Sequence, residues 1–215
     1  MPEFNRVYKK LLRHYGPQNW WPGDSPFEII VGAVLTQNTA WTNVEKAIAN
    51  LKDANALSVE AIVHAHPKEL ANWLTPSGYF NVKAKRLHAI CQWLLQQGGE
   101  ESLQRRDTRT LRDDLLSVYG IGPETADDIL LYAFERPVFV IDAYTRRIFS
   151  RLGLIPGDES YEAMRHQFES AMGSEVKVLN EYHALIVVHG KDVCRKTARC
   201  ELCCLSETCK AAIPT

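Results

Sequence analysis

The sequence has no apolar run near the roughly 18 residues that would mark a membrane-spanning helix, so no membrane partner is expected. The opening Met1-Pro2-Glu3-Phe4 lacks the apolar stretch of a secretory signal, which leads to the expectation of a cytoplasmic protein with reduced thiols. Neither sign of charge dominates. Lys and Arg number 25 against 26 Asp and Glu, for a formal net charge of −1, so a polyanion could not be held by a general basic field and any such contact must come from local groups. Alternating apolar and polar residues are scarce, and there is no internal repeat or low-complexity tract. What remains is an ordinary globular composition, 46% hydrophobic over 215 residues, enough for one large domain or two small ones.

Helical periodicity fills most of the chain. Phe4, Val7, Tyr8, Leu11, Leu12 and Tyr15 form an apolar stripe that stops at Gly16-Pro17. Asp24-Ser25-Pro26 reads as a helix start. The segment from Phe27 to Leu35 is apolar on all sides and is predicted to be a buried central helix. Further helices are expected near 42–52, 58–65, 67–73, 82–97, 108–117, 124–134, 143–152, 160–172 and 176–189. Val138 to Ile141 is the one strand-like stretch. Gly98-Gly99 and Pro156-Gly157-Asp158 read as surface connections.

Three features carry chemistry. The first is Gly120-Ile121-Gly122, between a helix carrying Leu111, Leu115 and Leu116 and a second opening at Pro123, Glu124 and Thr125. Two glycines permit a tight turn, the apolar Ile121 can plug between the helices, and backbone N–H groups at the second helix's start can take a phosphate without a basic side chain. A plain helix–helix corner has the same pattern. The second is Asp142, directly after the apolar Val138–Ile141. It can cap the helix that follows. It can equally stand as a carboxylate that stabilises a cationic sugar or deprotonates water, since a capping side chain has a fixed rotamer. The third is the cysteines. Five of six fall within 194–209, and Cys194, Cys200, Cys203 and Cys209 form C-x5-C-x2-C-x5-C, which suits metal binding better than disulfides. Four thiolates so spaced can wrap one iron–sulfur cubane. Four-cysteine zinc is the alternative, although zinc ribbons pair two C-x2-C knuckles and one is present here. Cys204 is an extra thiol beside the set, and Cys91 reads as a core residue.

Together with Leu35-Thr36-Gln37-Asn38-Thr39, Ser77 to Ala84, Tyr119 to Ala126, Val140-Ile141-Asp142 and His189-Gly190, these features resemble the helix-hairpin-helix superfamily of DNA glycosylases, the endonuclease III family. The resemblance spans nearly the whole chain in motif order. It implies an all-α, two-lobed fold: a central helical domain over 22–135, with the hairpin at about 111–134, and a second helical domain from 1–21 plus 136–215, with a 4Fe–4S cluster loop at 194–209. It further implies a monomer that binds double-stranded DNA containing a damaged base across the cleft between lobes. Such an enzyme would be cytoplasmic, and associated with the bacterial or archaeal nucleoid when on DNA. Asp142 falls on the family's catalytic aspartate. Relatives hold the cluster with C-x6-C-x2-C-x5-C, so the first interval here is one residue shorter.

Bifunctional relatives carry a lysine one residue before the Thr-Ala pair, and its amine attacks the sugar to form a Schiff base. This chain has Glu124 there. A carboxylate cannot form that adduct, which implies a monofunctional enzyme that uses water.

Trp20-Trp21-Pro22 and Trp41 supply rings that could sandwich a flipped base, and stacking rewards a base made cationic by alkylation. The same tryptophans could serve as packing. The pattern looks most like the 3-methyladenine glycosylase branch, in which the positions of Trp41 and of Trp20, Trp21 and Pro22 line the base pocket. The resemblance also implies that Gln37 fills the gap left by the flipped base and that Tyr79 acts as a wedge, although both could be plain surface or corner residues. Lys83, Lys85 and Arg86 could touch phosphate or simply be solvated on a helix face. Gly120, Ile121, Gly122, Glu124 and Thr125 would form the hairpin's DNA-contacting stretch. Two other readings stay open: a uracil or thymine-mismatch glycosylase, with hydrogen bonds to a neutral base, and a catalytically silent iron–sulfur DNA-binding protein.

Overall fold

A computed structural model describes residues 2–20 and 23–212. Its described regular structure is helical, as expected, and divides into two compact units. One spans Trp21–Arg136. The other joins the N-terminal segment up to Trp20 with the chain from Pro137 onward.

The Trp21–Arg136 unit is built on α2 (Pro26–Leu35), in which every residue from Phe27 to Leu35 is buried. Ser25 starts it by accepting the Glu28 N–H at 3.1 Å, with Pro26 in the first turn, where its missing N–H costs nothing. Around it lie α3 (Trp41–Asp53), α4 (Val59–His64), α5 (Pro67–Trp73), α6 (Phe80–Gln96), α7 (Glu100–Gln104), α8 (Thr108–Ser117) and α9 (Pro123–Asp128). The sequence pattern did not mark α7. Helix α9 continues into a π turn over Ile129–Ala133 that packs on α2.

The two arms of the hairpin, α8 and α9, are tied by a buried two-point ion pair. Arg112 donates to the two oxygens of Asp127 at 2.7 and 3.1 Å, and the Asp127 side chain has no exposed surface. Removing one partner of such a pair strands the other charge in the interior.

The other unit contains α1 (Pro2–Tyr15), α10 (Ala143–Leu152), α11 (Tyr161–Met172) and α12 (Val176–Asp192), followed by the cysteine loop. An aromatic core joins them. Phe139 stacks on Phe168 at 4.3 Å between centroids, Phe4 meets Phe168 edge-on at 4.8 Å, and Phe149 packs on both Phe4 and Phe168. The Tyr182 hydroxyl donates to the Phe4 carbonyl at 2.8 Å, so the one polar atom of that ring is satisfied inside the core.

Val138–Ile141 is buried but is not a strand. Its backbone is met by side chains instead: Glu169 accepts the Phe139 N–H at 3.1 Å, and the Tyr161 hydroxyl accepts that of Ile141 at 3.4 Å. Helix α11 thereby supplies what a neighbouring strand would have supplied. No described helix is long and apolar enough to cross a membrane.

Candidate functional site

Asp142, itself extended, sits where the buried Val138–Ile141 segment ends and α10 begins. Its Oδ1 accepts both the backbone N–H of Thr145 at 2.7 Å and the Thr145 hydroxyl at 2.8 Å, so the capping role read from the sequence is present. Oδ2 points the other way, 3.7 Å from Nε2 of His183 on α12, beyond hydrogen-bond length. Burial opposes ionisation of this carboxyl. His183 and the two Thr145 donors outweigh it and hold the pKa below the usual carboxylate value. The result is a fixed, ionised carboxylate with one oxygen committed to the helix and the other turned toward an imidazole.

Trp20 belongs to the same locale. Its ring lies nearly parallel to His183, 12° apart with centroids at 6.3 Å. The backbone that delivers it is clamped by Glu181 of α12, which accepts the N–H of Gln18 at 2.6 Å and that of Asn19 at 3.0 Å, with Asn19 in a left-handed conformation. Trp21 and Pro22, also expected to line a base pocket, lie outside the described residues.

The cysteine loop leaves α12 at His189, which is buried. Burial, with His14 nearby, lowers the His189 pKa to about 4, so the ring is neutral at ordinary pH. Its Nδ1 lies 2.8 Å from the Tyr15 hydroxyl and its Nε2 lies 3.5 Å from Cys203 Sγ. Two arginines of α10 hold the loop. Arg147 donates to the carbonyls of Gly190 and Cys194, both at 2.8 Å. Arg151 reaches Cys194 Sγ at 3.4 Å and the carbonyls of Arg195 and Lys196 at 2.6 and 2.8 Å. Burial pushes the Cys203 thiol up to about 11, and the neighbouring Cys204, Cys194 and Cys209 add to the rise. Among the described residues, no three His, Cys, Asp or Glu side chains are assembled for a single metal ion. The donor set nevertheless suits an anionic sulfur-ligated group: five thiols in one short loop, four of them at the C-x5-C-x2-C-x5-C spacing, bordered by two guanidinium groups.

In the Trp21–Arg136 unit, the hairpin turn has the geometry its glycines predict. Gly120 has a φ of +83°, Ile121 is buried, and Gly122 stands at the start of α9 with no side-chain cap. Glu124 and Thr125 follow in the first turn, and Thr125 is buried. Gln37 braces this turn. Its amide donates to the Gly120 carbonyl at 3.2 Å and to the Thr125 hydroxyl at 2.9 Å, while Arg86 donates to its Oε1. The Arg86 stem occupies the space a side chain at position 120 would need.

Tyr79, expected as a wedge, is 73% exposed and has a φ of +45°, directly after Gly78 at +68°. A tyrosine held left-handed costs about 1–2 kcal/mol, and such strain is often kept where a side chain must be presented outward. Trp41 opens α3 with its ring against Gly32 of α2: a Cβ there would stand 3.1 Å from the ring edge.

Lys83 corrects an expectation. It does not offer its ammonium to phosphate. The side chain is 1% exposed, and Nζ donates to Leu35 O at 2.8 Å and Ser77 O at 2.6 Å. Burial, with Arg86 nearby, lowers its pKa to about 8. Lys85, two residues on, is exposed.

Two features escaped the sequence reading. Tyr119, immediately before the hairpin glycine, is 63% exposed. His183 is a polar residue in the otherwise apolar Tyr182–Val188 run of α12, and that break in the pattern was the available signal.

Comparison with known proteins shows the family of the chain. The family model described as the HhH-GPD superfamily base excision DNA repair protein matches residues 31–173. A Methanocaldococcus jannaschii protein named as a candidate DNA repair glycosylase is 45% identical over 95% of this chain and 94% of its own length. Among solved structures, the H. pylori 3-methyladenine DNA glycosylase bound to 1,N6-ethenoadenine is similar with a TM-score of 0.77 and 32% identity, covering 88% of this chain and 96% of that one. Endonuclease III in a non-covalent complex with DNA superimposes with a TM-score of 0.85 over 98% of this chain and 95% of its own, at 19% identity, which is a likeness of fold. The chain therefore belongs to the HhH-GPD superfamily of base excision DNA repair proteins, the glycosylase superfamily that also contains endonuclease III.

Proposed function

We propose that this protein is a monofunctional DNA glycosylase that hydrolyses the N-glycosidic bond of alkylated purines, 3-methyladenine first. The hydrolytic reading is carried by Asp142 and, separately, by the identity of residue 124. Asp142 is fixed and ionised, and Glu124 stands in the first turn of α9 where bifunctional relatives have a lysine. With no amine at that position, the route through a Schiff base is closed and water is the nucleophile. Asp142 stabilises the cationic sugar as the bond to the base breaks, and its carboxylate orients the water that attacks. An N-alkylated purine already carries positive charge, so its departure needs little proton donation.

Three observations support the remaining assignments. The likeness to the H. pylori 3-methyladenine enzyme, at 32% identity, supports the alkylated-purine substrate, and in this reading Trp41, Trp20, Trp21 and Pro22 are the residues assigned to the base. The left-handed, exposed Tyr79 supports a wedge role, and the braced turn at Gly120, Ile121 and Gly122 supports phosphate contact through backbone N–H groups, with Glu124 and Thr125 beside it. Gln37 fills the duplex gap in this reading, which requires it to exchange its hairpin bonds for bases. Cys194, Cys200, Cys203 and Cys209 would hold a 4Fe–4S cluster, and when bound that group supplies a rigid cross-link for the loop rather than chemistry on the base.

The test is incubation of the purified protein with methylated duplex DNA and chromatography of the released bases, alongside uracil-containing and thymine-mismatch duplexes. Release of 3-methyladenine, with strands uncut until alkali is added, is expected. Release of uracil or thymine alone would overturn the substrate assignment, and strand cleavage without alkali would overturn the monofunctional one.

A further inference from the structure

Asp142 uses only half of its carboxylate on its own helix. Oδ1 takes both Thr145 donors, and Oδ2 is left facing α12. The group it faces is His183, a residue 5% exposed and fixed on three sides. Phe139 meets its ring edge-on at 6.3 Å, Trp20 covers a face, and the helix backbone sets its direction. Trp20 is itself held through the Glu181 clamp on Gln18 and Asn19, so ring and cover both hang from one helix.

We propose that His183 is a positioning residue for Asp142: it holds the second carboxylate oxygen in the direction that meets the sugar, and it couples that oxygen to the Trp20 wall. The proposal rests on the glycosylase reading above and deepens it. Rotation about the Cβ–Cγ bond moves both oxygens together, so the two Thr145 donors on Oδ1 already resist it. A packed imidazole facing Oδ2 adds a second restraint from the opposite side. At 3.7 Å the ring steers Oδ2 without consuming it as a tight hydrogen bond would, which leaves the lone pairs available to water and to developing positive charge.

The test compares wild type, His183→Phe and His183→Gln. Phenylalanine keeps a ring for Trp20 and Phe139 and removes the N–H; glutamine restores an N–H donor. The first readout needs no substrate: the titration of the Asp142 side-chain carboxyl followed by carbon NMR. Loss of the His183 donor leaves burial less opposed, so the midpoint should rise in His183→Phe and return toward wild type in His183→Gln. A midpoint unmoved in a folded phenylalanine variant overturns the proposal. The second readout is single-turnover base release, expected to fall by about tenfold to a hundredfold in His183→Phe with DNA affinity unchanged and partial recovery in His183→Gln. Equal losses in both variants would reveal a merely structural residue.

Should the phenylalanine variant not fold, Asp142→Asn is read from the other side. The His183 Nε2 resonance should shift, and an unmoved resonance overturns the proposal. If the wild-type protein releases no base from any duplex, the glycosylase reading fails, while the carboxyl titration still decides whether His183 positions Asp142.

Discussion

The ammonium of Lys83 donates to the carbonyl of Ser77 at 2.6 Å, and with its bond to Leu35 at 2.8 Å it ties the turn before α6 to the C-terminal end of α2. It is thus an internal strut, and it fixes the loop from which Tyr79 projects. Lys83→Met should keep much of the volume but leave two buried carbonyls without a donor, lowering unfolding stability by about 3 kcal/mol at neutral pH. Because Lys83 is turned inward, the salt dependence of DNA binding by the folded variant should match wild type, whereas Lys85→Met should reduce it.

The pH dependence has a definite sign. In the folded protein Lys83 has a pKa of about 8 against an ordinary 10.5, so between those values the unfolded chain binds the extra proton. Stability from this group therefore rises as pH climbs through that window. Urea unfolding from pH 7 to 10 should show wild type gaining on Lys83→Met. A constant difference would mean that burial imposes no charge penalty at this site.

The hairpin glycines differ in what they tolerate, and the difference separates folding from binding. Gly120 has a φ of +83° and a Cβ there would collide with the Arg86 stem. Gly120→Ala should cost about 2 kcal/mol from the left-handed backbone alone, with the clash against Arg86 in addition. Gly122 has a φ of −95° and nothing within 4 Å of a notional Cβ. Gly122→Ala should leave thermal unfolding where it is and weaken DNA binding, because the added methyl group stands where a phosphate would approach the backbone. Equal DNA affinity for Gly122→Ala and wild type, measured by anisotropy, would remove that turn from the interface.

The contrast between these positions shows what a sequence makes legible. Regular helices were readable because apolar periodicity is local: 67–73, 108–117 and 143–152 match the observed bounds of α5, α8 and α10. The turn at Gly120 and the cap at Asp142 were readable because a backbone conformation demands a residue type. Lys83 was not, since Lys83-Ala84-Lys85-Arg86 looks like a solvated basic face until the Ser77–Tyr79 turn folds a carbonyl over it. The Val138–Ile141 segment is not a strand for a related reason. Its β-branched composition is strand-like, but its hydrogen-bond partners are side chains 20 and 30 residues away. His183 could not be paired with Asp142 by any local rule, because 41 residues separate a capping position from a helix interior.

The thiol ligands offer a sharp separation between neighbours. Cys203 lies 3.5 Å from the buried His189 and within electrostatic reach of Cys194 and Cys209, whereas Cys204 is the extra thiol of the loop. If Cys203 is one of four cluster ligands, Cys203→Ser purified anaerobically should lose iron and visible absorbance, and the loop from 194 to 209 should become susceptible to proteolysis. Cys204→Ser should retain both iron and absorbance. The guanidinium of Arg151 gives a finer test, since it touches Cys194 Sγ and two loop carbonyls together. Arg151→Lys cannot span three acceptors in a planar fork, so it should hold iron initially but release it faster to a chelator than wild type does. Iron loss from Cys204→Ser and retention in Cys203→Ser would exchange the two ligands. Stoichiometric zinc with no absorbance in the wild-type protein would replace the cubane with a four-thiolate zinc site.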